Sequence, residues 1–323
     1  MGRAKNQLND LTGAEWIKLT RTWFICDSPR YWRNKPTELH PARFPEEVVA
    51  QFLRFFTKRG GAVLDPFLGS GATLVACAEE HRLGVGIELS ERYARAARAR
   101  AANLSPPQTV IRADARGLAR AEFWRPHRPD LEAAGVSFHR GLPRFDLAIT
   151  SPPYWRMLST SRGGVFSKHK RRAAAGLDTT YSDDPADLAN ISDYSDFIEA
   201  LGRVFDALRR CVKDEGHLVV IAQNLRDPEG EVRTLAWDLC RRIGRRAGRR
   251  GWRFQGERIW CQNTKPLGIW GYPKVFVPNY HHHYCLIFRN TTPPLPQARS
   301  PSRPSQNSLA CASAATRRRA SAT

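Results

Sequence analysis

The sequence predicts an α/β fold, with a doubly wound, mostly parallel seven-stranded sheet and helices on both faces. Three observations predict it. Short apolar runs alternate with segments of helical periodicity from about residue 45 to residue 250, which is typical of a parallel sheet covered by helices. A glycine-rich loop joins the first of these runs to a helix. The last two apolar runs follow each other without a helical segment between them, which indicates an antiparallel strand.

The predicted strands are short and rich in β-branched or aromatic residues. They cover residues 62–65, 84–89, 109–115, 145–150, 216–224, 252–263 and 274–290. The first predicted helix begins at Pro45, with Glu46 and Glu47 suited to its first turn, and it ends before Gly60. The other predicted helices cover residues 72–80, 90–104, 194–212 and 232–250. Residues 16–24 are expected to form a helix or an edge element, and residues 115–143 an irregular segment.

Composition indicates a globular protein, since 41% of the 323 residues are hydrophobic and 10% are aromatic. No apolar run is long enough to span a membrane, and the amino terminus lacks the apolar core of a secretory signal. The seven cysteines are scattered without a C-x-x-C pair, which favours reduced thiols over disulfides or a zinc site. These features predict a cytoplasmic location.

The net charge is +20, and arginine supplies 42 of the 51 basic residues. A polyanionic partner such as nucleic acid is the usual reason for so much positive charge. An arginine-rich composition without functional meaning is the alternative, and charge alone leaves both open.

The loop "VLDPFLGSGATL" places an acidic residue, Asp65, at a strand end and two glycines, Gly69 and Gly71, before a helix. Small residues at this point let backbone N–H groups and the helix amino end approach a ligand. In a doubly wound sheet a nucleotide-like cofactor binds here. Glu88 follows Asp65 by 23 positions, at the end of the next strand, where an acidic side chain can accept from ribose hydroxyls.

The second motif, "SPPYW", begins directly after the strand 145–150. Two adjacent prolines cannot donate to a sheet, so the strand ends there. An exocyclic base amine is a poor nucleophile, and a site can activate it by accepting both of its N–H bonds. The Ser151 hydroxyl and the Pro152 carbonyl are two such acceptors, held by the rigid Pro152–Pro153 pair. Tyr154 would offer a flat face for an extruded base.

The combination of "DPFLGSG", "GIEL" and "SPPYW" resembles the DNA amino-methyltransferases that use S-adenosylmethionine, and "HPARFP" resembles the segment before their cofactor loop. The resemblance runs from about residue 35 to residue 290 and implies a Rossmann-like, class I methyltransferase fold. The cofactor loop precedes the catalytic motif, unlike the commonest order in enzymes with this loop, which leaves the subgroup open. In this family a serine at the first catalytic position accompanies methylation of the 4-amino group of cytosine more often than of the 6-amino group of adenine.

The resemblance implies specific site residues. Those predicted to bind the cofactor are Asp65, Pro66, Phe67, Gly69, Ser70, Gly71, Glu88 and Asp114. Among them Glu88 would hold the ribose and Asp114 would face the adenine amino group. The predicted catalytic residues are Ser151, Pro152, Pro153 and Tyr154.

Double-stranded DNA is the predicted partner, and a cognate restriction endonuclease is a second candidate partner in a prokaryotic, nucleoid-associated setting. The predicted DNA contacts are Trp155, Lys168, Lys170, Arg171 and Arg172, with the arginines between 241 and 250 as further phosphate contacts. The predicted organisation is an N-terminal extension at 1–35, a catalytic domain at 36–290 with a candidate recognition insertion at 156–190, and a disordered basic tail at 291–323.

Three alternatives remain open at this point. The chain could methylate adenine, it could methylate a base amine in RNA, or it could be a non-catalytic relative that binds nucleic acid. The run His281–His283 is expected to lie on a surface or substrate-facing strand rather than to bind a metal, because consecutive strand residues point to opposite faces. No metal site is predicted.

Overall fold

The computed structural model describes residues 6–28, 44–155, 184–227, 229–245, 251–265 and 267–291. The strands are β1 (Trp23–Ile25), β2 (Ala62–Asp65), β3 (Leu83–Glu88), β4 (Thr109–Arg112), β5 (Phe138–His139), β6 (Leu142–Pro143), β7 (Phe145–Thr150), β8 (Val212–Ala222), β9 (Leu225–Arg226), β10 (Val232–Arg233), β11 (Gly251–Cys261) and β12 (His282–Thr291). The helices are α1 (Gly13–Leu19), α2 (Glu46–Phe56), α3 (Ala72–Glu79), α4 (Glu91–Ala101), α5 (Ala121–Trp124), α6 (Arg128–Ala133), α7 (Tyr194–Arg209) and α8 (Leu235–Gly244).

Within these residues one large sheet has the strand order β1-β11-β12-β8-β7-β2-β3-β4. Neighbouring strands are parallel except at the β11–β12 and β12–β8 pairs. The mostly parallel α/β fold predicted from the sequence is confirmed, but the sheet has eight strands instead of seven. The additional strand is β1, which pairs with β11 at the edge (Trp23 beside Ile259). Three residues are too few to show the alternation by which a strand is recognised in a sequence.

Helices cover both faces of the sheet, because alternate residues of the buried strands point to opposite sides. On one face, Leu64 and Val220 pack in a core with α7 and α8. On the other face, Val63 and Val219 pack in a second core with α2 and α3. The strands between these two cores are almost entirely apolar, as expected for a sheet that is covered by helices on both faces.

Several helix boundaries have a local cause in the sequence. At α1, Thr12 and Glu15 form a reciprocal capping box, and at α7 the Asp193 carboxylate accepts from the backbone N–H of Asp196 at 2.9 Å. Ser90 precedes α4 as expected, but its side chain makes no capping hydrogen bond. Its backbone N–H instead donates to Glu88, which lies at the end of β3.

The strand directions bring distant loops to one edge of the sheet. The strands β2, β3, β4, β7 and β8 run in parallel, so their carboxyl ends lie at the same edge. Because β12 is antiparallel to β8, and β11 to β12, the connection between β11 and β12 lies at this edge too. Among the helices described, none has both the length and the apolar character that a membrane crossing needs.

Several predicted segments lie partly or wholly outside the described residues. They include the tail from residue 292 onward, most of the insertion at 156–190, and residues 40–43 of the "HPARFP" motif. Residues 274–281, predicted as the start of the last strand, belong instead to the loop before β12, where Pro278 supplies no backbone donor for pairing.

Candidate active site

A cleft opens at the carboxyl edge of the parallel strands. The space between its walls, including the part that is open to solvent, is about 770 Å³. Residues from the loops after β2, β3, β4 and β7 line it together with residues of α4 and α7 and of the segment before α7. They are Pro66, Phe67, Gly69, Ile87, Glu88, Leu89, Ser90, Tyr93, Ala113, Asp114, Ala115, Ser151, Pro152, Pro153, Ala186, Asp187, Leu188 and Val204. The glycine loop and the "SPPYW" turn therefore face one shared space.

The glycine loop is shaped by two residues with positive φ, Gly69 at 58° and Gly71 at 91°. A side chain at Gly71 would be strained by this angle, and its Cβ would lie 3.1 Å from the Cβ of Ala97 on α4. Leu68 ties the loop to the next strand, because its backbone N–H donates to the Ile87 carbonyl at 2.9 Å. The loop can therefore bring its backbone close to a ligand without a side chain between them.

Asp65 does not line the cleft but lies completely buried beneath it. Its carboxylate accepts from the Thr150 hydroxyl at 2.6 Å, from the Thr73 hydroxyl at 2.5 Å and from the backbone N–H of Phe67 at 3.0 Å. Burial raises the pKa of Asp65 to about 6, although the three hydrogen bonds oppose this shift. The sequence predicted that Asp65 borders the cofactor; the structure instead makes it the residue that connects the loop to β7.

Glu88 lies at the end of β3 and lines the cleft as predicted. One carboxylate oxygen accepts from the backbone N–H of Gly69 at 2.7 Å, and the other accepts from that of Ser90 at 2.8 Å. Burial raises the pKa of Glu88 to about 7 against these two bonds, with a smaller contribution from the charges of Asp65 and Asp187. Each oxygen keeps a lone pair, so the carboxylate can still accept from a diol.

Asp114 follows β4 and also lines the cleft. Its two oxygens bind the same neighbour, since Oδ1 accepts from the backbone N–H of Arg116 at 2.9 Å and Oδ2 accepts from the Arg116 guanidinium at 2.8 Å. The arginine fixes the orientation of the carboxylate and neutralises part of its charge.

The "SPPYW" turn places Ser151, Pro152 and Pro153 on the wall of the cleft. The Ser151 hydroxyl donates to the Tyr154 hydroxyl at 3.3 Å, and the Tyr154 hydroxyl donates to the Ile221 carbonyl of β8, also at 3.3 Å. Tyr154 is only 5% exposed and is absent from the cleft wall. The sequence predicted a ring free to stack on a base; in the structure the ring is packed inward because its hydroxyl is bonded to β8.

Trp155 is likewise turned inward. Its indole N–H donates to the Ile191 carbonyl at 2.9 Å, and its ring packs edge-on against Tyr194. This burial does not support the predicted DNA contact. The predicted contacts Lys168, Lys170, Arg171 and Arg172 lie outside the described residues.

The basic cluster at the end of α8 is described as far as Arg245. Arg242 donates to Glu199 at 2.8 Å and to Asp206 at 2.9 Å, and Arg245 lies 3.4 Å from Glu199. These two arginines form ion pairs with carboxylates of α7, and their contact with DNA phosphates stays a prediction.

Three further residues that are predicted to bind the cofactor lie in the glycine loop: Pro66, Phe67 and Ser70. The Ser70 hydroxyl is buried and has no hydrogen-bond partner among the described residues. The Ser70 carbonyl accepts from Arg100 at 3.0 Å, which ties the glycine loop to α4. Pro66 and Phe67 lie on the cleft wall as predicted.

Sequence reasoning missed the role of the segment Ala186–Leu188, which lies near the end of the predicted insertion at 156–190 and closes one side of the cleft. Asp187 accepts from the backbone N–H of Ala189 at 2.9 Å, and burial raises its pKa. The sequence offers one weak signal, an acidic residue directly before a helical turn. Nothing in the local sequence indicates that this turn crosses back to the cleft.

The cleft is acidic inside a basic chain. Glu88, Asp114 and Asp187 border it, and apolar side chains of Phe67, Ile87 and Val204 fill the space between them. The predicted cofactor carries a sulfonium and an ammonium charge, a ribose diol and a flat adenine ring. Carboxylates beside apolar walls are suited to such a molecule, so the residues present fit the group.

Fold and cleft together define a Rossmann-like α/β protein, whose ligand site lies at the carboxyl ends of parallel strands. Residues 4–99 match the model of a family described as DNA methylase. This match confirms the resemblance to the DNA amino-methyltransferases predicted from the motifs, and it supports S-adenosylmethionine as the cofactor.

Individual proteins are similar to shorter stretches of the chain. The putative methylase YubD of Escherichia coli is 36% identical over 95 residues, which are 29% of this chain and 39% of YubD. The type II methyltransferase M.SmaI of Serratia marcescens is 48% identical over 61 residues, covering 19% of this chain and 21% of that enzyme. M.ScaI of Streptomyces caespitosus, also a type II methyltransferase, is 43% identical over 54 residues, covering 17% and 18%. The chain thus spans less than half the length of these curated relatives.

Proposed function

We propose that this protein is an S-adenosylmethionine-dependent DNA methyltransferase that methylates an exocyclic amine of an extruded base, the 4-amino group of cytosine. The observation that carries the proposal is the shared cleft. The glycine loop and Glu88 line one part of it, and Ser151, Pro152 and Pro153 line another. A methyl donor bound to the first part lies next to an amine bound by the second, and this proximity is the main contribution to such a transfer.

In the cofactor part of the cleft, Glu88 accepts hydrogen bonds from the ribose hydroxyls and Asp114 accepts from the adenine amino group. Phe67 and Val204 supply the apolar walls, and Gly69 lets the backbone come close. S-adenosylmethionine supplies an electrophilic methyl group when bound. Asp187 adds negative charge beside the cleft, which favours a cationic ligand.

For the base, the Ser151 hydroxyl and the Pro152 carbonyl accept the two N–H bonds of the target amine. Accepting both bonds draws the nitrogen lone pair out of the ring and supports the positive charge that develops on the nitrogen. The contact between Ser151 and Tyr154 leaves Ser151 free to accept from the amine. The serine proton points to the tyrosine hydroxyl, so the lone pairs of Ser151 Oγ remain available as acceptors.

The choice of cytosine rests on Ser151, since serine at this position accompanies cytosine more often than adenine in the family it resembles. The test offers methyl-labelled cofactor with DNA from a source without methylation and, in a parallel reaction, with RNA, followed by digestion to nucleosides and mass analysis. N4-methylcytosine is the expected product. N6-methyladenine would correct the base, and label in RNA but not in DNA would correct the substrate. Normal cofactor binding without transfer to either nucleic acid would favour a non-catalytic relative.

A role in restriction–modification is part of the proposal. It is supported by the similarity of the chain to proteins named type II methyltransferases. In that setting double-stranded DNA is the substrate, a cognate endonuclease is the functional partner, and the protein acts in the prokaryotic cytoplasm at the nucleoid. Protection of methylated DNA against an endonuclease from the same genome is the measurement that checks this part.

A further inference from the structure

The connection between β11 and β12, residues 262–281, is called the edge loop here. It exposes many large apolar side chains. Among the described residues eleven large hydrophobic side chains are exposed, and six of them lie between residues 267 and 276: Leu267, Ile269, Trp270, Tyr272, Val275 and Phe276. Ile269, Tyr272 and Phe276 are 88%, 83% and 85% exposed. A contiguous apolar surface of this kind marks an interaction site on a protein that otherwise covers its core.

Internal hydrogen bonds give the edge loop a defined shape. The Asn279 side chain accepts from the backbone N–H of Gly268 at 2.9 Å, donates to the Gly268 carbonyl at 2.9 Å and accepts from the Trp270 indole at 3.0 Å. Gly271 has a φ of 72°, and a side chain there would collide with the Val275 carbonyl. The His281 ring lies 2.9 Å from the carbonyls of both Asn279 and Lys265. The loop therefore holds its apolar side chains outward by its own structure.

The edge loop lies at the same edge of the sheet as the catalytic turn. Tyr284 of β12 pairs with Ala222 of β8, and Val220 of β8 pairs with Thr150, the residue before Ser151. The carboxyl end of β7 lies level with Leu286 of β12, two strand spacings of about 4.8 Å away. Because β12 begins four residues beyond this level, at His282, the base of the loop lies roughly 16 Å from the end of β7. A duplex whose base enters the cleft can reach this part of the edge.

The charge of this region fits a polyanion. No Asp or Glu occurs after Glu257 in the sequence, so the edge loop carries no acidic side chain. Lys274 lies exposed between Tyr272 and Phe276. Aromatic side chains next to a cation are the combination that binds unstacked bases and their phosphates.

We infer that the edge loop is a DNA-contacting surface, which places Tyr272 and Phe276 against the bases and sugars next to the extruded nucleotide. This inference rests on the proposed function and adds a second surface to the insertion at 156–190. Aromatic contacts replace the stacking that the DNA loses when a base leaves the helix, while Lys274 binds a phosphate. The residues named here lie outside the cleft, so the cofactor binds independently of them.

The test compares the wild-type chain with Tyr272→Ser/Phe276→Ser and with each single variant. The probe is a fluorescently labelled duplex cut from DNA that the wild-type chain methylates. Ile17→Ser is the matched control. Ile17 lies on α1 and is 72% exposed. The helix α1 leads into the amino end of β1, whereas the edge loop lies at the carboxyl edge of the sheet. We expect each single variant to bind the duplex about tenfold more weakly and the double variant about a hundredfold more weakly, because each lost base–aromatic contact lowers affinity by roughly tenfold. Cofactor affinity and the thermal midpoint should equal those of the wild type.

The salt dependence of binding separates apolar from phosphate contacts. The double variant should lower the affinity at every salt concentration with the same slope of log K against log salt, whereas Lys274→Ala should reduce that slope by about one. Unchanged duplex affinity in the folded double variant would overturn the inference. So would a wild-type dimer in sedimentation that the variant converts to a monomer while keeping its DNA affinity, since the loop would then bind a second copy. Absence of methyl transfer by the wild-type chain would instead contradict the proposed function.

Discussion

The Asp65 carboxylate accepts a hydrogen bond from the Thr150 hydroxyl at 2.6 Å, which joins the end of β2 to the end of β7. Asp65 begins the glycine loop, and Thr150 precedes Ser151. This buried contact therefore extends the β2–β7 pairing to the two walls of the cleft. Thr73 of α3 binds the second oxygen of the same carboxylate, so the loop is held from both ends.

Replacing Thr150 by valine tests this connection. The change removes the donor but keeps the shape, so the partly ionised Asp65 loses a charge-assisted bond worth ~1–3 kcal/mol of unfolding free energy. Thr73→Val is the matched variant, because it removes a bond to the same carboxylate without touching β7. We expect both variants to lose similar stability in denaturant titrations, but only Thr150→Val to lower methyl transfer at saturating cofactor. Equal transfer rates in the two variants would argue against a positioning role for Thr150.

Tyr154→Phe tests whether the tyrosine hydroxyl orients Ser151. Without its hydrogen-bond partner the serine proton can turn into the cleft, where it competes with the amine that Ser151 should accept. We expect kcat to fall about tenfold, the effect of one net hydrogen bond. Cofactor affinity should not change, because Tyr154 is absent from the cleft wall. Ser151→Ala should cost more. A Tyr154→Phe variant with wild-type kcat would show that the contact is only structural.

Asp65 and Glu88 should each contribute a loss of stability as the pH rises from about 4 to about 7. In the folded state burial raises the pKa of Asp65 to about 6 and that of Glu88 to about 7. Between their ordinary values and these pKa values the folded chain binds more protons than the unfolded chain, so the free energy of unfolding decreases with pH. Glu88→Gln should flatten this dependence in denaturant titrations at several pH values. A profile equally steep in the variant would exclude Glu88 as its source.

Cofactor binding should depend on pH in the opposite direction. The ionised form of Glu88 accepts from a diol and attracts a cation, so affinity should weaken as the pH falls below about 7. Binding at pH 7 should also release protons, since a bound cation lowers the pKa of Glu88. Calorimetry in buffers of different ionisation enthalpy measures this release. Glu88→Gln should bind with little proton release.

Gly71→Ala should destabilise the protein by ~1–2 kcal/mol, because an L-residue is strained at a φ of 91° and its Cβ would crowd Ala97. Gly13→Ala is the control, since Gly13 begins α1 and has open space where a Cβ would lie. The thermal midpoint measures both. A Gly71→Ala variant as stable as Gly13→Ala would contradict the close packing of the glycine loop on α4.

The sequence predicts the sheet well where strands are buried on both faces. The segments 62–65 and 145–150 are short and mostly apolar, as expected for strands of a two-sided sheet, and their ends predict a shared cleft. The edge strand β1 is not predicted, because three residues are too few to show the alternation of apolar and polar residues in a strand. The inward orientation of Tyr154 and Trp155 is not predicted either, because their hydrogen-bond partners Ile221 and Ile191 are distant in the chain.

The role of Asp65 illustrates the same limit. Its position after a strand predicts a residue near the cofactor, but the two threonines that bind it come from α3 and β7. Only the three-dimensional structure shows that both threonine hydroxyls donate to the Asp65 carboxylate, which lies below the cleft. In such cases the type of residue is predictable from local sequence, and its partner is not.

Because Asn279 closes the edge loop on itself, the segment between Cys261 and His282 takes part of its shape from its own hydrogen bonds. A loop of other sequence that keeps the Gly268–Asn279 bridge could be transplanted there while the glycine loop and the "SPPYW" turn stay intact. Engineering which duplexes the protein accepts would then become a matter of exchanging one hairpin connection.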